Sequence, residues 1–180
     1  ADRLIVAARV AADGDPVALF VVDAGAPGVA IERTVMVDAH NAARVRLTNV
    51  QVGADALLGS VEGGAALLEA VLDTGRAVLA SELLGIADEV FARTLTYLKE
   101  RRQFGRTLVA NQGLRFELAR QRLAMEGARL ALEYALAAAP QDPWGKSPAR
   151  LVARASVAET APRVIEAAIQ LHGGMGFTWD

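Results

Sequence analysis

Two short segments hold the residue types that could do chemistry. The first is Glu100-Arg101-Arg102-Gln103-Phe104-Gly105-Arg106, with Gln112 shortly after it. A guanidinium fork such as that of Arg101 matches the paired oxygens of a phosphate or pyrophosphate. Phe104 could lie against an aromatic ring, and Gly105 lets the chain turn sharply beside it. The same residues have a plainer use. Arg101, Arg102 and Arg106 place three cations where a long helix ends, which the helix dipole favours. The second segment is Gln170-Leu171-His172-Gly173-Gly174-Met175-Gly176-Phe177. Its glycines offer bare backbone for a ligand to approach, with the Gln170 side chain pointing at it, or they simply cap a helix. They do not form a dinucleotide-binding loop, because that fingerprint follows a strand and opens a helix. Here the glycines follow a helical pattern. His172 reads as a packing or hydrogen-bonding residue and not a base. His40, in Asp38-Ala39-His40-Asn41, reads as a turn residue.

Other chemistries are poorly served. The chain has no cysteine, which excludes disulfides and thiolate metal sites. His40 and His172 are too far apart in sequence to make a metal motif. Net charge is −2 with both signs spread along the chain, so no nucleic-acid surface or polybasic membrane patch is expected. The most apolar stretches are broken by Asp73, Arg76 and Glu82, and neither a membrane span nor a signal peptide is expected. A cytoplasmic location follows as the expectation. Hydrophobic residues make up 53% of the chain, enough for a core, but only 5% are aromatic. A core of Ala, Leu and Val suits closely packed helices.

The elements that must hold the two segments change character near residue 60. Before it, β-type runs at 4–10, 17–22, 29–37 and 44–52 are separated by turn residues. These include Asp13-Gly14-Asp15-Pro16 and Gly25-Ala26-Pro27-Gly28. They predict part of an antiparallel sheet, the hairpin-rich half of a barrel. After residue 60 the period is helical. A proline-free helix over 63–101, with apolar residues at Leu68, Leu72, Leu79, Leu83, Ile86 and Val90, would be about 55 Å long. Residues 104–109 interrupt it. A second helix over 111–139 carries one seam at Leu114, Leu118, Met125 and Leu132 and another at Phe116, Leu123 and Leu130. Two seams predict partners on two sides and hence a bundle. Pro140 to Pro148 reads as a loop, and a third helix covers 149–171. Pro162 should kink it, or restart it from a Thr160 cap. The domains expected are 1–60, strand-rich, and 61–180, helical.

Taken as a set, these residues resemble the acyl-CoA dehydrogenase family. The stretch Leu72-Asp73-Thr74-Gly75-Arg76-Ala77-Val78-Leu79-Ala80-Ser81-Glu82-Leu83-Leu84-Gly85 is similar to the first helix of that family's C-terminal bundle. Residues 97–105 with Gln112 resemble its flavin-contact segment, and 167–177 its glutamine-diglycine segment. Residues 43–52 followed by Leu57-Leu58-Gly59 resemble the exit from its middle β-domain. The fold implied is mainly α: a C-terminal helical bundle preceded by part of an antiparallel β-barrel domain.

The resemblance implies FAD-dependent α,β-desaturation of an acyl-CoA thioester. A carboxylate removes the α-proton while the β-hydride passes to flavin N5. It places Arg101, Gln103, Phe104 and Gln112 against the FAD of a neighbouring subunit. Gln170, Gly173 and Gly174 would approach the adenosine-pyrophosphate half of that FAD. Asp73 and Arg76 would lie near the acyl-CoA; read locally, Asp73 is a helix-surface charge and Arg76 its ion-pair partner. No catalytic residue is assigned. The family's glutamate base sits either just before the arginine, where this chain has Gly75, or about two dozen residues beyond the diglycine, past Asp180. Both ends read as cuts within a longer protein, so these residues alone are expected to be inactive. An electron-transfer protein and a homo- or hetero-oligomer, a dimer or a homotetramer, are the implied partners. The alternatives are a non-catalytic, flavin-contacting subunit of a hetero-oligomeric dehydrogenase, a related flavin oxidase or hydroxylase, or a helical interaction module without cofactor.

Overall fold

The computed structural model describes residues 2–11, 14, 16–38, 40–138 and 148–178. Asp13 and Asp15 of the first turn, Ala39 and the end of the second helix at Ala139 lie outside them. So does most of the loop expected at 140–148. The chain forms two compact units, Ala1–Glu69 and Ala70–Asp180.

The first unit is antiparallel. β1 (Arg3–Arg9) pairs with β2 (Val17–Asp23) in the register Arg3↔Asp23 to Arg9↔Val17. Its β-branched and apolar alternation is what a half-buried strand requires. Ala18, Leu19 and Val22 of β2 are buried. A short β5 (Leu57–Leu58) pairs with the other edge of β2. β3 (Val29–Val35) and β4 (Asn41–Leu47) form a separate two-stranded ribbon, so the strands divide between two sheets. The last strand was expected at 44–52 and lies earlier. Val35↔Asn41 and Val29↔Leu47 pairing fixes its register. Beyond it Asn49 adopts a positive φ of 51°, which ends the extended run.

The second unit is helical. α1 (Gly64–Glu100) begins in the first unit and continues into the second. α2 (Gln112–Ala138) and α3 (Pro148–His172) complete the bundle. Its core takes Ala80, Leu84, Ala87, Phe91 and Leu98 from α1, and Leu118, Met125, Ala128, Leu132 and Ala135 from α2. α3 contributes Ala153, Val157, Ala161 and Val164. The steps between these residues are mostly three and four, the interval that keeps one stripe facing a partner helix. Alanines in the stripe let the helices approach closely.

This stripe corrects the sequence expectation for α1. Leu72, Leu79, Leu83 and Ile86 are exposed, and the Ala-rich stripe beside them makes the intrachain core. Periodicity marks an apolar face, but two apolar faces on one helix compete, and packing selects one. On α2 the seam through Leu118, Met125 and Leu132 is buried, while Phe116, Leu123 and Leu130 are exposed. α3 runs as one helix through Pro162 without a restart at Thr160. Buried Val157, Ala161, Val164 and Ala168 hold the turns on either side of the missing N–H.

Two cross-links set the direction of the helices. Asp73 of α1 pairs with Arg150 at the start of α3. Tyr97 near the end of α1 stacks on His172 at the end of α3. α1 and α3 therefore run parallel, with α2 running back in the opposite direction and joined to α1 by the Asp88–Arg129 ion pair.

Candidate functional site

The first chemical segment is a miniature hairpin. α1 stops at Glu100, and β6 (Arg102–Gln103) pairs with β7 (Arg106–Thr107) through a two-residue connection, Phe104-Gly105. Both connecting residues have positive φ, 54° and 77°, the pattern of a type I′ turn. Gly105 adopts it freely. Phe104 does so at a cost of about 1–2 kcal/mol, and its side chain is 92% exposed. A large aromatic held in a strained conformation and turned to solvent contributes nothing to this chain's own packing. Such outliers gather at ligand clamps.

The hairpin is tied to the helix ends by backbone. Arg101 N–H donates to Tyr97 O at 2.8 Å, and Leu108 N–H donates to Arg101 O at 2.9 Å. A 3-10 turn at Leu108–Ala110 then leads into α2, whose first residue is Gln112. Arg101, Arg102, Gln103, Arg106 and Gln112 are all exposed. Among the described residues, none of the three arginines has an ion pair. A simple cationic helix cap would leave Phe104 unexplained.

The second segment closes α3. A 3-10 turn, Gly173–Phe177, follows His172. Gly173 has φ +62°, which turns the chain back. A Cβ on Gly176 would sit 2.3 Å from Ile169 O, so that glycine is demanded by close packing. Gly174 has neither constraint: its φ is ordinary and a Cβ would meet nothing within 4 Å. Its bare backbone has no purpose inside the chain. Gln170, Gly173 and Gly174 are exposed.

The helix ends that carry these two segments meet. The Tyr97 and His172 rings stack with centroids 4.5 Å apart and planes 22° apart. His172 Nδ1–H donates to Ala168 O at 2.8 Å; the carbonyl can only accept, which puts the proton on Nδ1. Arg101 lies one turn beyond Tyr97, and Gly173 directly follows His172. Sequence reasoning named both segments without finding the stack, because nothing local marks which aromatic meets which.

Asp73 and Arg76 are elsewhere. From Arg76 to the end of α1 is about 36 Å at 1.5 Å per residue. Asp73 is buried, and its carboxylate accepts from Arg150 Nη1 at 3.1 Å. The two side chains are 11% and 10% exposed, so this is a buried pair. Arg150 was not foreseen; no sequence signal links positions so far apart. Arg76, half-buried, also has a partner. A Cβ on Gly75 meets nothing within 4 Å.

A groove between α2 and α3 is lined by Glu117, Arg120, Gln121, Glu159 and Arg163. Arg120 pairs with Glu117 at 2.9 Å and Arg163 with Glu159 at 2.8 Å. Hydrogen bonds from Arg120 and Gln121 hold the Glu117 carboxyl below the usual glutamate range. The Arg129 guanidinium is raised above its ordinary value by its hydrogen bond to Asp88. Among the described residues, no cluster of His, Cys, Asp or Glu could hold a metal ion. No described helix is long and apolar enough to cross a membrane.

Comparison with known proteins places this arrangement. Residues 62–180 match the family model for the acyl-CoA dehydrogenase C-terminal domain. The chain is 32% identical over 169 residues to the short-chain specific acyl-CoA dehydrogenase of Clostridium acetobutylicum, covering 91% of this chain and 44% of that protein. It superposes on butyryl-CoA dehydrogenase from Megasphaera elsdenii with a TM-score of 0.87 and 28% identity, over 99% of this chain and 48% of that one. The ChsE4-ChsE5 complex from Mycobacterium tuberculosis gives a TM-score of 0.82 at 26% identity, over 99% and 46%. The chain thus spans less than half the length of each relative. The strand-to-bundle architecture, the matched domain and the similarity along nearly the whole chain lead to one conclusion: it belongs to the acyl-CoA dehydrogenase family.

Proposed function

We propose that this chain is the flavin-contacting C-terminal half of a cytoplasmic, FAD-dependent acyl-CoA dehydrogenase that desaturates an acyl-CoA thioester. In this reading residues 1–60 end the middle β-domain and 61–180 form the helical bundle. The observation that carries it is Phe104, strained and 92% exposed, beside three arginines that have no ion pair among the described residues. The residues present suit the flavin: the guanidinium forks suit its phosphates, Phe104 suits a flat ring, and the backbone at Gly174 is open to a close approach. When bound, FAD supplies the hydride acceptor for the desaturation.

The chain's own residues would divide the work. Arg101 and its neighbours hold the phosphates as bidentate donors. Gln103, Gln112 and Gln170 donate or accept hydrogen bonds around the cofactor, and Gly173-Gly174 leaves room for it. Asp73 and Arg76 lie near the acyl-CoA in the resemblance, with Asp73 held in place by Arg150. About 36 Å separates Arg76 from the flavin segment. One small-molecule pocket does not span that distance. The two groups therefore serve different active sites, which favours a site completed by a second subunit. The exposed α2 seam is the surface such a subunit would cover. Electrons would leave to an electron-transfer protein.

A second reading is a hetero-oligomer in which this chain supports a catalytic partner. Similarity to the ChsE4-ChsE5 complex and the absence of a carboxylate at Gly75 favour it. The test is to purify the protein with its native flanking sequence, record its flavin spectrum, and assay a series of acyl-CoAs with an artificial electron acceptor. Bound flavin with turnover supports the enzyme. Flavin with turnover only beside a second gene product supports the hetero-oligomer. No flavin under either condition rejects both.

A further inference from the structure

From the stacking of His172 on Tyr97 we infer that these two residues are a positioning clamp that aligns the Arg101–Arg106 hairpin with the Gly173–Phe177 turn as one cofactor-binding surface. The inference rests on the flavin reading for the identity of the ligand, but the clamp itself is a statement about the chain alone. Both rings are half-buried at the same end of the bundle, with Tyr97 and Leu171 packed against the core. The stack joins the end of α1 to the end of α3, where each candidate segment begins. The 2.8 Å bond from Nδ1–H to Ala168 O stops the imidazole from rotating out of the stack. One turn beyond Tyr97, the peptide N–H of Arg101 is bonded to Tyr97 O. The backbone of Tyr97 is thereby tied to the base of the hairpin. On the other side Gly173, at φ +62°, directly follows the imidazole and sets the direction of the turn carrying Gly174. Neither ring needs to touch the ligand for this role. The Asp73–Arg150 link between α1 and α3 lies at the far end of the bundle and cannot fix the geometry here.

The experiment compares His172→Ala, Tyr97→Ala and the stack-retaining His172→Phe in the protein with its native flanking sequence. FAD affinity is measured by titrating the apoprotein, and amide hydrogen exchange is measured without FAD. His172→Ala and Tyr97→Ala should each weaken FAD binding by about tenfold. His172→Phe should restore most of it. In the apoprotein both alanine variants should speed exchange in residues 102–107 and 173–177 together, while amides around Met125 in the core keep their protection. Unchanged exchange in either segment would overturn the clamp, whether or not the wild type binds flavin. So would a loss of affinity that His172→Phe fails to rescue. Failure of the wild type itself to bind FAD would reject the flavin reading and leave the exchange result to decide the clamp.

Discussion

The Asp73–Arg150 pair gives the sharpest test of how the bundle is held. Its side chains are 11% and 10% exposed, with Nη1 and Oδ2 3.1 Å apart. At that distance and an effective dielectric near 20, the Coulomb attraction is about 5 kcal/mol. Desolvation of both ions offsets much of this, so the pair as a whole is worth little against an apolar replacement. Removing one partner is different, because a buried charge is then left uncompensated. Arg150→Met and Asp73→Leu should each cost about 3–5 kcal/mol, whereas the double variant should lie within about 1 kcal/mol of the parent. The assay is equilibrium denaturation of the full-length protein for the four members of the cycle. Coupling of at least about 4 kcal/mol, the two single costs less the double, is expected. Additivity within about 0.5 kcal/mol would refute the reasoning, since uncoupled residues behave that way. If Asp73 also serves the substrate through its fixed position, both single variants should raise KM for acyl-CoA with little change in kcat.

Other outcomes follow from the same geometry. Leu98→Ala, at a fully buried position of α1, should destabilise the bundle by about 3 kcal/mol in denaturant titration. The Glu117 carboxyl titrates below its ordinary value because Arg120 and Gln121 hydrogen-bond to it. Its contribution to stability is therefore full above the unfolded value of about 4.3 and is lost as pH falls through the lower folded value. Glu117→Gln should remove this part of the acid dependence, seen by comparing denaturation curves from about pH 6 down to pH 2.5. Arg101→Ala should weaken FAD retention with unchanged circular dichroism, and equal affinity would reject its role as a phosphate ligand. Leu123→Glu with Leu130→Glu should reduce the assembly state in light scattering without unfolding the chain, since both side chains are exposed in the single chain. An unchanged mass would show that this seam is not an interface.

Much of the architecture is written in local patterns. The change near residue 60 from alternating β-type runs to helical periodicity, the break after α1 and the glycines after α3 are consequences of propensity and turn chemistry, which act over a few residues. The two candidate segments were legible for the same reason: residue types and spacing suffice to name them. Which apolar stripe of α1 becomes core was not legible, because Leu72, Leu79 and Ile86 are as hydrophobic as the stripe that won. Close approach of alanine-lined helices decided it. The register of β4 was set by its partner strand and not by its own alternation. The strain at Phe104 appears only once the two-residue turn is closed. The pairings Asp73–Arg150 and Tyr97–His172 join residues far apart in sequence. They depend on the parallel course of α1 and α3, which no local preference encodes, and only the packed bundle brings them within reach.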